Sequence, residues 1–481
     1  MPNIIIKKYR GLSQPIKASL WFVICNVIQK GIQVLSTPIF TRLLTQTEYG
    51  IYSVYQSWYT IITVLATLNL AAGVYNNGLT THPKDKDRFT SSLLGLSSTI
   101  TVGLFVVYII APKFWNDLLE LSTVFMLAMF IELLFVPAYS FWSAQQRYFY
   151  KYKGIIVASA FIGLIGPISA IIAIKISAYK AEAMVLSFVL TQVLVGIILY
   201  VCIMTKGKVF FDREYWFHAL KFNIPLIPHY LSQTLLNQSD RIMISRMIGT
   251  DKAAVYSVAY TVSMVMTLVI SAVNSTLTPY IYQSIKANQT KNLRKNSSLL
   301  LIFVFVICLI SILMGPEIIR IVAAKEYYEA RWVIPPVAAS LYFVFASGLY
   351  GTVEFYYENT ISVMVASVVA AIVNIILNYF GIRLFGYVAA GYTTLICYIL
   401  MLLIRYCYYR HLVNYIGRDF IFDDRITLAL CVIMLVIIPL CVAVYNYYFL
   451  RYLVVSSLCV IMIMGRKRFM NIFRSYTKKN D

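Results

Sequence analysis

Charged residues are scarce in this sequence. Only 13% of its 481 residues are charged, whereas about 25% is usual for a soluble domain, and acidic residues number only 20. Hydrophobic residues make up 60%, and the mean hydropathy is +0.74. Apolar runs recur along the whole chain, and about 20 apolar residues in a helix cross a bilayer core. The composition therefore excludes a soluble globular protein and predicts an integral membrane protein.

Metal and catalytic motifs are also missing. The eight cysteines contain no CxxC pair, and the four histidines, at positions 82, 218, 229 and 411, show no metal-ligand spacing. The sequence has no GxxxxGK[ST] phosphate loop and no HExxH or GxSxG motif, so neither ATP hydrolysis nor a hydrolase centre is indicated. We therefore expect no enzymatic activity and no cofactor, apart from a proton or sodium ion that could drive transport.

The net charge of +21 does not indicate a nucleic-acid partner. Lys and Arg cluster in short segments between apolar runs instead of covering one face of a soluble domain. The clusters concentrate in alternate connecting segments, and the positive-inside rule then places both termini in the cytoplasm. No cleavable signal peptide is predicted. We expect a multi-pass protein of the bacterial inner (cytoplasmic) membrane.

Fourteen segments are long and apolar enough to be predicted as transmembrane helices. No connecting segment leaves room for an extramembrane catalytic domain. The predicted fold is an all-α polytopic membrane protein whose helices cover residues 16–39, 49–76, 89–111, 119–144, 153–176, 181–204, 219–247, 252–283, 297–321, 330–356, 360–384, 386–408, 426–447 and 449–465.

An internal repeat relates the two halves of the helix pattern. A shift of about 204 residues aligns Gln29 with Gln233, Arg42 with Arg246, and residues 52–54 with 256–258. Six helices in each half give both halves the same orientation, as in transporters built from parallel repeats. We predict two six-helix lobes around a central cavity, at residues 1–205 and 206–410. Residues 411–481 then form accessory helices 13 and 14 and a basic cytoplasmic tail.

Polar side chains recur on single helical faces of the first two helices in each half. Such groups can simply hydrogen-bond neighbouring helices, but their recurrence in both halves favours a polar cavity. Lys30 and Arg241 lie on these faces, and a cation inside a membrane helix costs about 3 kcal/mol and needs a partner or a function. An anionic substrate is therefore predicted, bound by Lys30 and Arg241 with Asn26, Gln33, Tyr52, Gln56, Asn237, Tyr256 and Tyr260.

Three acidic residues are candidates for ion coupling or for ion pairs. Glu132 could carry a coupling ion or pair with Lys30. Asp240 points about 100° away from Arg241 on a helix, so it could instead contact a neighbouring helix or Arg246. Glu354 could bind a proton or a sodium ion, or could lie at a solvated helix end.

Several stretches carry a resemblance to a known family. These are residues 38–44 and 48–53, residues 144–148, residues 225–241 with Gly249 and 254–257, and residues 326–330. In these segments the sequence resembles the polysaccharide transporter family of the multidrug/oligosaccharidyl-lipid/polysaccharide exporter (MOP) superfamily, and in particular the Wzx O-antigen flippases. Structural or gating roles are expected for the charged residues in or beside these stretches, which are Arg42, Glu48, Arg147 and Arg246.

The resemblance implies alternating access and outward translocation of an undecaprenyl-diphosphate-linked oligosaccharide, an O-antigen-type repeat unit. It also implies membrane lipids, a polysaccharide polymerase and chain-length machinery as partners. Two alternatives remain open: a cation-coupled multidrug exporter of the same superfamily, and a membrane glycan polymerase or ligase. Drug export predicts acidic residues in the N-terminal cavity, whereas a polymerase predicts a long catalytic outer loop and no duplication.

Overall fold

A computed structural model describes residues 14–81, 85–288, 290–417 and 421–477. Helices cover most of these residues, and no β-strand occurs among them. The predicted all-α polytopic membrane fold is therefore confirmed. The chain divides into two compact units, one ending at Thr234 and the other beginning at Leu235.

The first unit is built from ten helices and the beginning of an eleventh, within the described residues. In chain order they are α1 (Gln14–Leu43), α2 (Gln46–Thr67), α3 (Val74–Thr81), α4 (Lys86–Ile110), α5 (Pro112–Leu119), α6 (Thr123–Phe135), α7 (Pro137–Tyr148), α8 (Lys153–Ile176), α9 (Lys180–Gly207), α10 (Arg213–Asn223), a 3-10 turn (Ile224–Leu226) and the start of α11 (Ile227–Met247).

The second unit continues from α11. Its described elements are α12 (Thr250–Lys286), α13 (Thr290–Leu313), α14 (Gly315–Val322), a 3-10 segment (Lys325–Trp332), α15 (Ile334–Tyr356), α16 (Thr360–Phe385), α17 (Ala389–Ile416), α18 (Asp424–Ala443), a 3-10 turn (Val444–Asn446) and α19 (Tyr448–Thr477).

Each of the fourteen predicted segments coincides with a long helix or with a helix broken once. Ten helices in the described ranges are long and apolar enough to cross a membrane, and α12, which bends by 41°, raises the number to 11. α2 and α11 do not meet this criterion, and both carry the polar faces noted above. The apolar part of α19 is short. The exact number of fourteen spans therefore stays a prediction.

Local sequence explains where the helices begin and end. Thr45 and Glu48 form a reciprocal capping box that starts α2. The second helix was predicted to reach residue 76, but α2 ends at Thr67. Leu68 and Asn69 adopt left-handed backbone angles, with φ of 47° and 51°, and this turn leads into the separate helix α3. Pro137 lacks an N–H group and divides the fourth predicted segment into α6 and α7.

The 204-residue repeat is also visible in the order of the elements. Lys86, at the start of α4, corresponds under this shift to Thr290, at the start of α13. Each of these helices is followed by an eight-residue helix with a proline in its first turn, Pro112 in α5 and Pro316 in α14. The structure adds α5 between two predicted segments, whereas it divides the predicted segment 297–321 into α13 and α14.

The segment after α9 packs back onto the first unit. The Trp216 indole N–H donates to the Ser92 carbonyl (2.8 Å) on α4. Asn223 is fully buried; its amide donates to the Leu68 carbonyl (2.8 Å) and its Oδ1 accepts from the Val74 N–H (3.1 Å). A Cβ on Gly73 would lie 2.6 Å from Asn223 Oδ1. A glycine is therefore required where Asn223 closes the turn between α2 and α3.

An ion pair between the buried Arg451 and the half-buried Glu317 integrates the last two helices into the second unit. Arg451 on α19 binds both carboxylate oxygens of Glu317 at 2.6 and 2.7 Å and donates to the Leu313 carbonyl. The Tyr445 hydroxyl donates to the Ile312 carbonyl (2.8 Å). Because bidentate Arg–carboxylate pairs fix geometry as well as charge, these contacts hold the turn between α18 and α19 against the end of α13.

Candidate functional site

The predicted polar face of α1 is only partly buried. Lys30 is half-buried and Gln33 is exposed. Asn26 lies in the described helix, but its side chain lies outside what the structure describes. Near the end of α1, the Thr37 hydroxyl donates to the Gln33 carbonyl (2.9 Å). The cation and the amide side chain of this face are therefore accessible within the first unit, as a binding surface requires.

The polar face of α2 is lined with aromatic rings. Tyr52 is half-buried, and its ring centre lies 5.8 Å from that of Phe188 on α9. Gln56, also half-buried, lies one turn further along α2. Tyr55 and Tyr59 stack with their ring centres 6.4 Å apart. The face thus combines aromatic surface with amide and hydroxyl groups.

A buried acid lies behind this aromatic face. Glu132 on α6 is fully buried. The Tyr55 hydroxyl donates to one of its carboxylate oxygens (2.8 Å), and the Gln192 amide on α9 donates to the other (3.2 Å). Buried apolar residues of the same helix, including Met129 and Leu133, lie beside it along α6. Ionisable groups held in such surroundings within a membrane protein are expensive, which marks Glu132 as a candidate functional group.

Arg241 in the second unit is held with part of its guanidinium unused. Its Nη1 donates to the Asn237 carbonyl (2.9 Å) and to Gln238 Oε1 (2.7 Å). Its guanidinium carbon lies 4.6 Å from the ring centre of Tyr260. Within the described part of the chain, the Nη2 and Nε groups carry no hydrogen bond. Arg241 is half-buried, so it offers an oriented pair of donors to an anionic or hydroxyl-bearing ligand.

Asp240, the neighbour of Arg241, lies at the centre of a buried polar network. Its carboxylate accepts hydrogen bonds from Tyr256, from Asn378 (2.7 Å) and from Thr394 (2.8 Å). Asn374 links this group to Ser239 (3.0 Å) and to the Thr394 hydroxyl (3.0 Å). The network joins α11, α12, α16 and α17. Of the two predicted arrangements for Asp240, the structure shows the contact with neighbouring helices.

Two of the predicted binding residues, Tyr256 and Asn237, lie in different positions relative to this network. Tyr256 is fully buried and donates to Asp240, so it supports the acid from the interior of the second unit. Asn237 is exposed, and its side-chain oxygen accepts from the Tyr398 hydroxyl (3.3 Å). Arg241, Asn237 and Tyr260 therefore lie together on one surface, whereas Tyr256 lies beneath it.

Glu354 does not lie at a solvated helix end, because its exposed fraction is 0%. One carboxylate oxygen accepts from the Ser362 hydroxyl (3.0 Å), and the other has no hydrogen-bond partner among the described residues. Arg405 on α17 is also buried, interacts electrostatically with Glu354 and lies against Gly351. Burial rather than exposure keeps Glu354 among the candidates for ion coupling.

The four residues given structural or gating roles lie at helix ends. Arg42 is exposed and donates to the Pro38 carbonyl (2.6 Å), and Glu48 completes the cap of α2. Arg147 is exposed at the end of α7, and its guanidinium carbon lies 5.8 Å from the ring centre of Phe22. Arg246 is exposed at the end of α11. The positions of Arg42 and Glu48 explain a structural role, and gating by any of the four stays a prediction.

The partners of the buried acids were not predicted from the sequence. Asn374 and Asn378 are separated by one helical turn in the apolar helix α16, so their spacing was a usable signal. Tyr55 and Gln192 gave no such signal, because nothing in the spacing of polar residues on α2 or α9 distinguishes them from their polar neighbours. Their roles follow from the packing of α2, α6 and α9.

Comparison with known proteins agrees with this architecture. The family described as Polysaccharide biosynthesis protein matches residues 16–285, which is more than half of the chain. The MatE family matches residues 225–380. The two matches overlap at α11 and α12, the helices that hold Asp240 and Arg241.

Two curated relatives come from Haemophilus influenzae. The protein described as Lsg locus putative protein 1 is 34% identical over 70 residues, which cover 15% of this chain and only 18% of that relative. An uncharacterized membrane protein is 21% identical over 336 residues, covering 66% of this chain and 78% of the relative. Neither description names a substrate.

Solved structures show the same fold. The lipid II flippase MurJ, in an inward closed conformation, has a TM-score of 0.66 at 14% identity and covers 94% of this chain and 100% of its own. An inward-facing multidrug resistance MATE transporter has a TM-score of 0.59 at 11% identity, covering 82% of this chain and 95% of its own. These likenesses show the fold that the chain shares with MurJ and with MATE transporters, and the family match over more than half of its length shows that the chain belongs to the Polysaccharide biosynthesis protein family.

Proposed function

We propose that this protein is a flippase that moves an undecaprenyl-diphosphate-linked oligosaccharide, an O-antigen-type repeat unit, from the cytoplasmic to the outer leaflet of the inner membrane. The proposed mechanism is alternating access, without chemical conversion of the substrate. Family membership supports polysaccharide biosynthesis as the setting. MurJ is described as a flippase for lipid II, and the proposal extends lipid-linked substrates to this chain.

The observation that carries the proposal is the arrangement of Arg241. Two hydrogen bonds on Nη1 and the ring of Tyr260 fix the guanidinium, and its remaining donors stay unused in the described chain. A planar fork of N–H groups suits the oxygens of a diphosphate. Aromatic and amide side chains beside it suit sugar rings and hydroxyls. Lys30 supplies a second accessible cation in the first unit.

Complementation tests this proposal directly. Arg241→Ala and Lys30→Ala should each abolish surface polysaccharide, or reduce it at least tenfold, in a strain that lacks its own flippase. The lipid-linked intermediate should accumulate, because its synthesis does not need the transporter. Surface polysaccharide and the extracted lipid-linked pool are measured together, with membrane insertion checked by immunoblotting.

Arg383→Ala is the matched control, because Arg383 is an exposed cation at the end of α16 in the second unit. It should leave polysaccharide at the wild-type level. Normal polysaccharide in both the Lys30 and the Arg241 variants would overturn the role of these cations in substrate binding. Failure of the wild-type chain to complement any flippase-deficient strain would overturn the proposed function.

Ion coupling belongs to the same proposal. Sodium binds to oxygen ligands, and a proton binds to a carboxylate. The network supplies both, through the carboxylate of Asp240 and the side-chain oxygens of Asn374, Asn378 and Thr394. Glu132, with Tyr55 and Gln192, offers a second site where a proton can be held. Cation binding at either place would replace hydrogen bonds that now satisfy a buried acid.

Export of organic cations is the second candidate function, and the MatE match over residues 225–380 favours it. A cationic drug would need an accessible carboxylate. Glu132 is fully buried and already accepts two hydrogen bonds, which supports the flippase over the exporter. Drug resistance conferred by the wild-type chain, without complementation of polysaccharide synthesis, would favour the exporter.

A further inference from the structure

A polar cavity in the first unit lies away from the residues discussed so far. Its volume is about 540 Å³, and it opens where the start of α4 meets the ends of α7 and α9. Its charged lining consists of Asp85, Lys86, Asp87, Arg88, Lys151 and Lys206. The ends of three membrane-spanning helices, with the residues beside them, thus bring four cations and two carboxylates to one place.

The charges of this cavity do not cancel. Arg88 is paired with Asp212 outside the lining at 2.9 Å. Asp87 accepts from the Gln145 amide at 3.0 Å. Among the described residues, neither Lys151 nor Lys206 has an ion-pair partner within 4.0 Å. The lining therefore has an excess of positive charge, concentrated at these two ammonium groups.

Aromatic rings surround the cations. The Lys86 ammonium lies 4.6 Å from the ring centre of Phe149 and 4.7 Å from that of Tyr148. The Lys151 ammonium lies 5.5 Å from the ring centre of Phe149. These rings occupy the ends of membrane-spanning helices, where aromatic side chains typically lie at the level of lipid headgroups. The cavity is therefore at the membrane surface, at the helix ends predicted to face the cytoplasm.

We propose that this cavity binds the phosphate headgroup of an anionic glycerophospholipid from the adjoining leaflet, through Lys151 and Lys206. Basic pockets between membrane helices on the cytoplasmic side are suited to such headgroups, because cations there meet a negatively charged membrane surface. The bound lipid differs from the transported one and holds α4, α7 and α9 together at their ends. The site is independent of the transport residues Lys30 and Arg241.

Native mass spectrometry of the full chain tests this proposal, with phosphatidylglycerol, cardiolipin and phosphatidylcholine added separately. Wild-type protein should retain the two anionic lipids in preference to phosphatidylcholine. The double variant Lys151→Gln/Lys206→Gln should bind the anionic lipids about 25-fold more weakly, about fivefold for each lysine. Lys113→Gln/Lys175→Gln, which removes two exposed cations from the same unit, is the matched control and should bind as the wild type does.

A second variant separates binding from folding. Lys151→Arg/Lys206→Arg keeps both charges and should restore retention, whereas a damaged cavity would not recover. Equal retention by the wild type and the Gln double variant would overturn the proposal. So would displacement of the lipid by millimolar inorganic phosphate, which would show that the cavity binds free phosphate. Preferential binding of undecaprenyl diphosphate, lost in the Gln double variant, would also overturn it by assigning the cavity to the transported substrate.

Discussion

At the scale of single residues, the buried acids are the side chains whose burial costs the most free energy. Glu132 accepts from the buried Tyr55 and the half-buried Gln192, so Glu132→Ala removes the acceptor from two donors at once. An unsatisfied buried group costs about 1–3 kcal/mol. The Ala variant should therefore unfold at a lower temperature in detergent than Glu132→Gln, which preserves volume and can still accept a hydrogen bond. A thermal unfolding series on the purified variants measures this difference.

Glu132→Gln also tests ion coupling, because an amide cannot take up a proton or hold a cation by charge. If Glu132 is a coupling site, this variant should translocate lipid-linked substrate in proteoliposomes at a rate that no longer responds to a proton or sodium gradient. Glu214→Gln, at an exposed acid on α10, is the matched control and should keep the gradient response. An unchanged response in Glu132→Gln would leave Asp240 or Glu354 as the coupling site.

The polar faces of α11 and α12 could be predicted from the sequence, whereas the contact between Tyr256 and Asp240 could not. The helical spacing of polar residues predicted one polar face on α11 that includes Arg241 and one on α12 that includes Tyr260, and the packing of these two helices brings the two side chains together. It did not show that Tyr256 points inward to Asp240. That contact depends on how α11 and α12 pack against α16 and α17, and no single helix contains that information.

At the scale of elements, an ion pair joins three parts of the second unit. Lys252 at the start of α12 lies 2.7 Å from Glu329 in the 3-10 segment, and the Tyr387 hydroxyl also donates to Glu329 (3.2 Å). The Lys252 hydrogen bond holds the pKa of the Glu329 carboxyl below its usual value of 4.5. Folding therefore favours the ionised carboxylate. The contribution of this carboxylate to folding stability is complete when the pH is above the usual pKa, and it is lost as the pH falls through the lowered pKa.

Glu329→Gln should remove this pH-dependent contribution. Between about pH 6 and about pH 3, the melting temperature of the wild type should fall more than that of the variant. The effect should be small, because the Glu329 side chain is 56% exposed and solvent screens the pair. Lys252→Gln should reproduce the behaviour of Glu329→Gln, and the double variant should add nothing further. Parallel curves for the wild type and all three variants would contradict the assigned role of the pair.

At the scale of the whole molecule, hydropathy and the 204-residue repeat predicted most of the helix order. Long apolar segments must be helical in a membrane, because every backbone group needs an internal partner there. The same rule does not apply to short or amphipathic segments outside the bilayer. The eight-residue helix α5 and the start of α10 were therefore not predicted, α14 was predicted as the end of one long helix with α13, and Pro225 lies between α10 and α11 within one predicted helix.

The position of α10 decides where the first unit ends. The sequence divides the lobes at residue 205, whereas the structure groups residues up to Thr234 with the first unit. Trp216 and Asn223 explain this difference, because the side chain of each forms hydrogen bonds with backbone groups of the first unit. Co-expressed fragments test it: 1–226 with 227–481, against 1–205 with 206–481.

Fragment 1–226 should be recovered as a more heat-stable, monodisperse species than fragment 1–205, because only the longer fragment retains α10.

In the full chain, Asn223→Ala should lower the free energy of unfolding by about 1–3 kcal/mol, since the Leu68 carbonyl and the Val74 N–H lose their partner. Gly73→Ala should reproduce this loss, because its Cβ would displace the Asn223 side chain. Gly103→Ala, where a Cβ meets nothing within 4 Å, controls for the added methyl group. Equal stability of both fragments, together with wild-type melting of the Asn223 and Gly73 variants, would return the boundary to residue 205.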